Sequence, residues 1–231
     1  MISRRNIRIK VMQALYTLDS TGNETNIPEA GKLLRKQIEQ SRKLLVYLIY
    51  FLTEVARYAE KDAHKKASKH LPSAHDLNIN TKIAGNELLW RILELPSFVA
   101  AVNELKPSQI LDEQLAKKIY QALAASEEYA EYITADGREK KAEKRVLEFI
   151  FTNLMLPDEN FISHLEEHFI NWDDDAEMMN ILTLNFLQKP HSYDFNSFVS
   201  KEKMDFAKGL LETTIEKKEV SMELLKPKLK N

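Results

Sequence analysis

Apolar residues near the start of the chain fall at Ile7, Val11, Ala14, Leu15 and Leu18, spaced i, i+4, i+7, i+8 and i+11. That spacing predicts one amphipathic helix. Ser3 stands where an N-cap belongs, and the polar run "DSTGNETN", residues 19–26, ends the pattern. Pro28 suits a helix first turn, and a helical pattern without internal proline then runs from Glu29 to about Lys69. A continuous helix of that length would extend about 60 Å, so a bend or break is expected within it. Its centre, "LLVYLIYFL" at 44–52, is apolar on every side and reads as the buried middle of a helix. It falls well short of the roughly 20 residues that span a bilayer.

"LPSAHDLNINTKIAGN", residues 71–86, is the most loop-like stretch. Shorter helices are predicted at Glu87 to Leu93, Ser97 to Leu105, Asp112 to Ala125 and about Glu127 to Ile133. After the turn "ADGREK", the segment "REKKAEKRVLEFIFTNLML" resumes with a basic start and an apolar end. "PDENFISHLEEHF", "DDDAEMMNILTLNFLQ" and "SKEKMDFAKGLLETTIEKKEVSMELLKPKLK" complete the helical pattern. No long alternating run and no repeat of fixed period occurs. The expected fold is all-α: a helical bundle with one long helix and several shorter ones.

Composition narrows this further. At 231 residues the chain can bury one large core or two small ones. Only 5 Gly and 7 Pro leave few tight turns, which favours helices over a many-stranded sheet. The absence of Cys excludes disulfides and thiolate metal sites, in keeping with a reducing, cytoplasmic setting. The basic N-terminus lacks the unbroken apolar stretch and cleavage site of a secretory signal.

The formal net charge of −2 conceals an asymmetry. Residues 1–70 hold 14 Lys/Arg against 7 Asp/Glu, and the remainder 19 against 28. A basic surface for a polyanion and an acidic body elsewhere would produce this, as would uneven sampling of solvated faces. Arg4, Arg5, Arg8 and Lys10 precede the first acid, Asp19. Cations at a helix N-terminus oppose its dipole, at a cost of some tenths of a kcal/mol each. A helix placed only for stability would carry acids there, so the run points to use.

Other motifs carry less. "HLEEH" puts His164, Glu167 and His168 at the H-x-x-E-H spacing of inverted zinc peptidases, with two imidazoles facing the same way. They flank the apolar positions Phe161, Leu165 and Phe169, and no third ligand is evident. "WDDDAE" lacks the glycine and distal glutamate of a calcium loop, and helix capping accounts for its acids. His64, His70 and His75 are expected in solvent, and Trp90 at a core position. No phosphate-binding glycine loop, nucleophile elbow or dinucleotide fingerprint is present. No cofactor, metal or catalytic residue is assigned.

"RRNIRIKVMQALYTLD" resembles the N-terminal signature of the NusB family of transcription antitermination factors: arginines ahead of a helix containing Gln13, Ala14, Leu15 and Tyr16. "DFAKGLLETTIEKKEVSMELLKPKLKN", residues 205–231, resembles the family's third helix and the short one after it. The resemblance covers residues 3–19 and 200–231. It implies a NusB-like N-terminal arginine-rich helix at 1–27, a large helical insertion at 28–199 as in the long bacterial form, and a return to the family fold at 200–231. Family members continue with a further group of helices, so the resemblance implies a chain without that C-terminal half.

The function implied is non-enzymatic. NusB-like proteins bind the boxA element of nascent ribosomal RNA together with the ribosomal protein NusE, within the transcription elongation complex. Carried onto this sequence, Arg4, Arg5, Arg8 and Lys10 are the RNA-binding residues, and Gln13 to Tyr16 are assigned to the core. Cations of this kind supply salt-dependent phosphate contacts, and Arg can also stack on or fork to unpaired bases. NusB-like domains also occur fused to ribosomal RNA methyltransferases, but no α/β cofactor domain is present here. The alternatives are a helical module that binds only protein, its arginines paired with its own acids, and a zinc hydrolase at "HLEEH". No membrane association is expected.

Overall fold

The computed structural model describes residues 2–20, 26–74 and 79–225, with side chains through Lys218. Among the described residues there are ten α-helices and no strand, so the fold is an all-α bundle. The helices are α1 Arg4–Ser20, α2 Ile27–Ala67, α3 Glu87–Leu93, α4 Pro96–Leu105, α5 Glu113–Ala124, α6 Glu127–Thr134, α7 Lys140–Phe149, α8 Glu159–His168, α9 Trp172–Gln188 and α10 Lys201–Leu225. Short 3₁₀ turns lie at Lys82–Gly85, Pro107–Gln109 and Pro190–Ser192. No helix among the described residues is long and apolar enough to cross a membrane.

The chain divides into two compact units: residues 1–42 with 197–231, and residues 43–196. In the first, α1 packs on α10. The stripe Ile7, Val11, Ala14 and Leu18 is buried, as are Ala207, Leu211 and Ile215 on α10. The i, i+4, i+8 spacing of the second set is one helix face, matching that of Ala30, Leu34 and Ile38 at the start of α2. Ser3 caps α1, its Oγ accepting from the Asn6 amide at 3.1 Å. Asn26 does the same for α2, its Oδ1 accepting from Glu29 at 2.9 Å.

In the larger unit the second part of α2 supplies the core. From Leu44 to Leu52 every side chain but Tyr50 is buried. A segment apolar on every side requires neighbours on every side, and α8 supplies one of them. Phe51 and Phe161 lie 4.7 Å apart between ring centroids, and Tyr47 and Phe169 5.2 Å. The helix expected to bend or break has no break from Ile27 to Ala67. Its apolar stripe is never interrupted by proline, and the solvated end "EKDAHKKA" continues it through Ala67.

The short helices follow their capping residues. Asp112 accepts from the amides of Gln114 and Leu115 at 2.9 and 3.0 Å, and Ser126 from Tyr129 at 3.2 Å. Asn86 accepts from Leu89 at 3.0 Å and opens α3. After α7 the helix widens into a π turn, Ile150–Met155, whose Ile150, Phe151 and Met155 are buried.

Candidate nucleic-acid interface

α1 begins with no acid in its first turn. Its buried stripe fixes which side chains turn outward. Arg5, Ile9, Met12 and Tyr16 lie at i, i+4, i+7 and i+11, one line along the opposite face. Arg5 is exposed and makes no hydrogen bond or ion pair among the described residues. Ile9 is 43% exposed, Met12 65% and Tyr16 77%. Tyr16 is therefore not in the core to which its motif assigned it. Of that tetrapeptide Ala14 is buried, while Gln13 and Leu15 are half-buried.

The other cations are distributed by α10. Arg4 pairs with Glu202, Nη2 to Oε1 at 2.6 Å, and its guanidinium lies 5.6 Å from the Phe206 ring centroid. Arg8, one turn on, also stands 5.6 Å from that centroid and is exposed. A guanidinium held over a ring keeps its in-plane N–H donors for another acceptor, so Phe206 steadies Arg8 without consuming it. Lys10 turns the other way and is only 2% exposed, so it presents no charge to solvent. The candidate face thus contains Arg5 and Arg8 with Arg4 beside them, but not Lys10.

Further along, Met12, Leu15 and Tyr16 line a groove of about 230 Å³ with Thr214 and Ile215 of α10, and the Asp19–Lys218 ion pair is also part of its lining. Cations at one end and an exposed aromatic ring at the other suit an unpaired nucleic-acid strand. The sequence reading missed Met12 and Tyr16, although their spacing from Arg5 already placed them off the buried stripe.

The remaining candidates are structural in their surroundings. Tyr47 Oη lies 2.5 Å from His164 Nε2, and the His164 and His168 rings are 4.4 Å apart. The His168 Nδ1 meets the His164 carbonyl at 2.9 Å. Burial, followed by the proximity of His168, lowers the pKa of His164. Burial raises that of Tyr47 well above the ordinary phenol value, so the neutral hydroxyl faces the neutral ring. Among the described residues no group of three His, Cys, Asp or Glu side chains is placed to hold a metal ion.

Asp173, Asp174 and Asp175 occupy the first turn of α9, and Asp175 accepts from Asn171 at 2.7 Å. His64 and His70 are exposed, and His75 lies outside the described residues. Trp90 is half exposed rather than in the core, its indole N–H donating to the Ala84 carbonyl at 3.0 Å. Comparison with known protein families, curated proteins and solved structures yields no match for this chain.

Proposed function

We propose that this chain is a NusB-like transcription antitermination factor, and that the outward face of α1 binds single-stranded, boxA-type RNA with NusE as protein partner. The observation that carries the reading is Arg5, exposed and unpaired among the described residues in the first turn of a helix whose dipole disfavours it. Arg8 and Tyr16 on the same side supply a second cation and a ring for stacking. The packing of α1 on α10 joins the two segments that resemble the family. Binding is non-catalytic: arginines contact phosphate, and the strand's bases meet Tyr16.

The test is titration of boxA-like RNA, with and without NusE, into the wild-type chain and the double variant R5E/R8E. Wild type is expected to bind with strong salt dependence and more tightly with NusE. The variant is expected to lose binding with its helical content intact, since both side chains are exposed and neither makes a hydrogen bond or ion pair among the described residues. Equal affinity of the two proteins at low salt would refute the site.

A second reading, a module that binds only protein, draws on the Arg4–Glu202 pair and on Phe206 beneath Arg4 and Arg8. On that reading these cations serve the α1–α10 contact, and RNA does not bind.

A further inference from the structure

The larger unit has its own cationic groove, formed by α3, α7 and the end of α9, with a volume of about 310 Å³. Leu88, Leu187 and Pro190 give it an apolar lining. Around them stand Arg91, Lys140, Lys141 and Lys144. Two carboxylates also border the groove; one is engaged elsewhere and the other pairs at long range with Arg91, which leaves the lysines. Glu143 is buried and already accepts from the Tyr132 hydroxyl at 2.7 Å, the Glu87 amide at 2.6 Å and Arg138 at 3.2 Å. Glu87 reaches Arg91 only at 4.0 Å.

The lysines themselves are little used by the fold. Lys140 and Lys141 are exposed and form no ion pair or hydrogen bond among the described residues. Lys144 donates to a neutral acceptor, Gln188 Oε1, at 2.5 Å. Lys140 and Lys144 are one helical turn apart and so form a row along one face of α7. Lys140 and Lys141 also lie in the first turn, where their charge opposes the helix dipole. As on α1, cations stand where stability alone would place acids.

We infer that this groove is a second RNA contact, taking the phosphodiester backbone of a single strand along the row of Lys140, Lys141, Lys144 and Arg91. The inference rests on the RNA reading of the chain and extends it to the segment that the family resemblance leaves without a role. The charges fit a polyanion, and the apolar lining fits the less polar faces of sugar and base. A contact of this kind is independent of sequence: it adds affinity and salt dependence without altering which bases are preferred.

The test compares four full-length proteins: wild type, K140E/K141E, R5E/R8E and the combination. Each is titrated with a fluorescein-labelled boxA-like oligonucleotide and with labelled oligouridylate across a salt series. K140E/K141E is expected to bind both RNAs about tenfold more weakly at low salt. Its salt slope should be shallower by about 1.4, from the loss of two single-strand phosphate contacts. K140Q/K141Q should fall between it and wild type. The thermal midpoint of K140E/K141E should equal or exceed that of wild type, because acids suit the first turn of α7. Weaker binding can then not be ascribed to unfolding.

Unchanged affinity and slope in K140E/K141E, beside lost binding in R5E/R8E, would overturn the groove and leave the α1 site standing. The reverse pattern would overturn the α1 site and leave the groove. Absence of RNA binding by wild type would overturn both.

Discussion

Arg4 Nη2 lies 2.6 Å from Glu202 Oε1, a contact between residues 198 apart in sequence. Both side chains are largely exposed, so the pair contributes at most about 1 kcal/mol to the α1–α10 contact. Its larger effect is on the availability of Arg4. If α1 binds RNA, Glu202 competes with phosphate for this guanidinium. The variant E202Q is expected to bind boxA-like RNA two- to fivefold more tightly at low salt, with stability changed by less than about 0.5 kcal/mol. Binding and melting measured on the same preparation check it. Unchanged affinity would leave Arg4 to the fold, as the protein-only reading holds.

Glu143 is the polar hub of the larger unit. It is 1% exposed, and its carboxylate ties α6 through Tyr132, α3 through the Glu87 amide, and Arg138 ahead of α7. Its carbonyl also accepts from the Asn86 side chain at 2.7 Å. Replacement by Ala takes the acceptor from the Tyr132 hydroxyl and the Glu87 amide, while the Asn86 bond to the backbone carbonyl remains. E143A is expected to destabilise the larger unit by about 2–4 kcal/mol, seen as an earlier midpoint in denaturant unfolding.

Elements were legible in the sequence where periodicity and capping agreed. α3 begins and ends at the predicted residues because Asn86 caps it and its apolar positions stop at Leu93. The buried run from Leu44 was equally plain. The outward line of α1 was less so. Tyr16 looks like a core residue by type, and only the helix phase set by Ile7, Val11 and Ala14 turns it to solvent. Lys10 is the converse case, a cation by type whose phase places it inside. The Glu143 hub left no sequence signal, since a glutamate in a charged helix start resembles any solvated residue. Neither did the groove, whose cations converge from α3 and α7.

Lys106 ends α4 with φ 48° and ψ 55°, the left-handed region that glycine adopts without a Cβ penalty. The side chain is exposed and makes no hydrogen bond or ion pair among the described residues. K106G relieves the strain while adding freedom to the unfolded chain, and the first effect is the larger. The expected result is stabilisation by about 0.5–1 kcal/mol, measured by denaturant unfolding. A loss of stability would indicate that the turn into Pro107 draws on the lysine.

His164 should make stability depend on pH. Burial and the neighbouring His168 hold its pKa below 6.5, with Asp112 and Glu167 opposing them more weakly. The unfolded chain therefore takes up a proton at higher pH than the folded one. The resulting stability is complete above about pH 6.5 and is lost as pH falls through the lowered folded value. Tyr47 sharpens the effect, because a neutral Nε2 can accept from its hydroxyl and a protonated one cannot. The thermal midpoint should thus fall between pH 7.5 and 5.5 in wild type. It should fall less in H164Q, whose amide can still meet the Tyr47 hydroxyl but does not titrate. A fall of equal size in the two proteins would place the titrating group elsewhere.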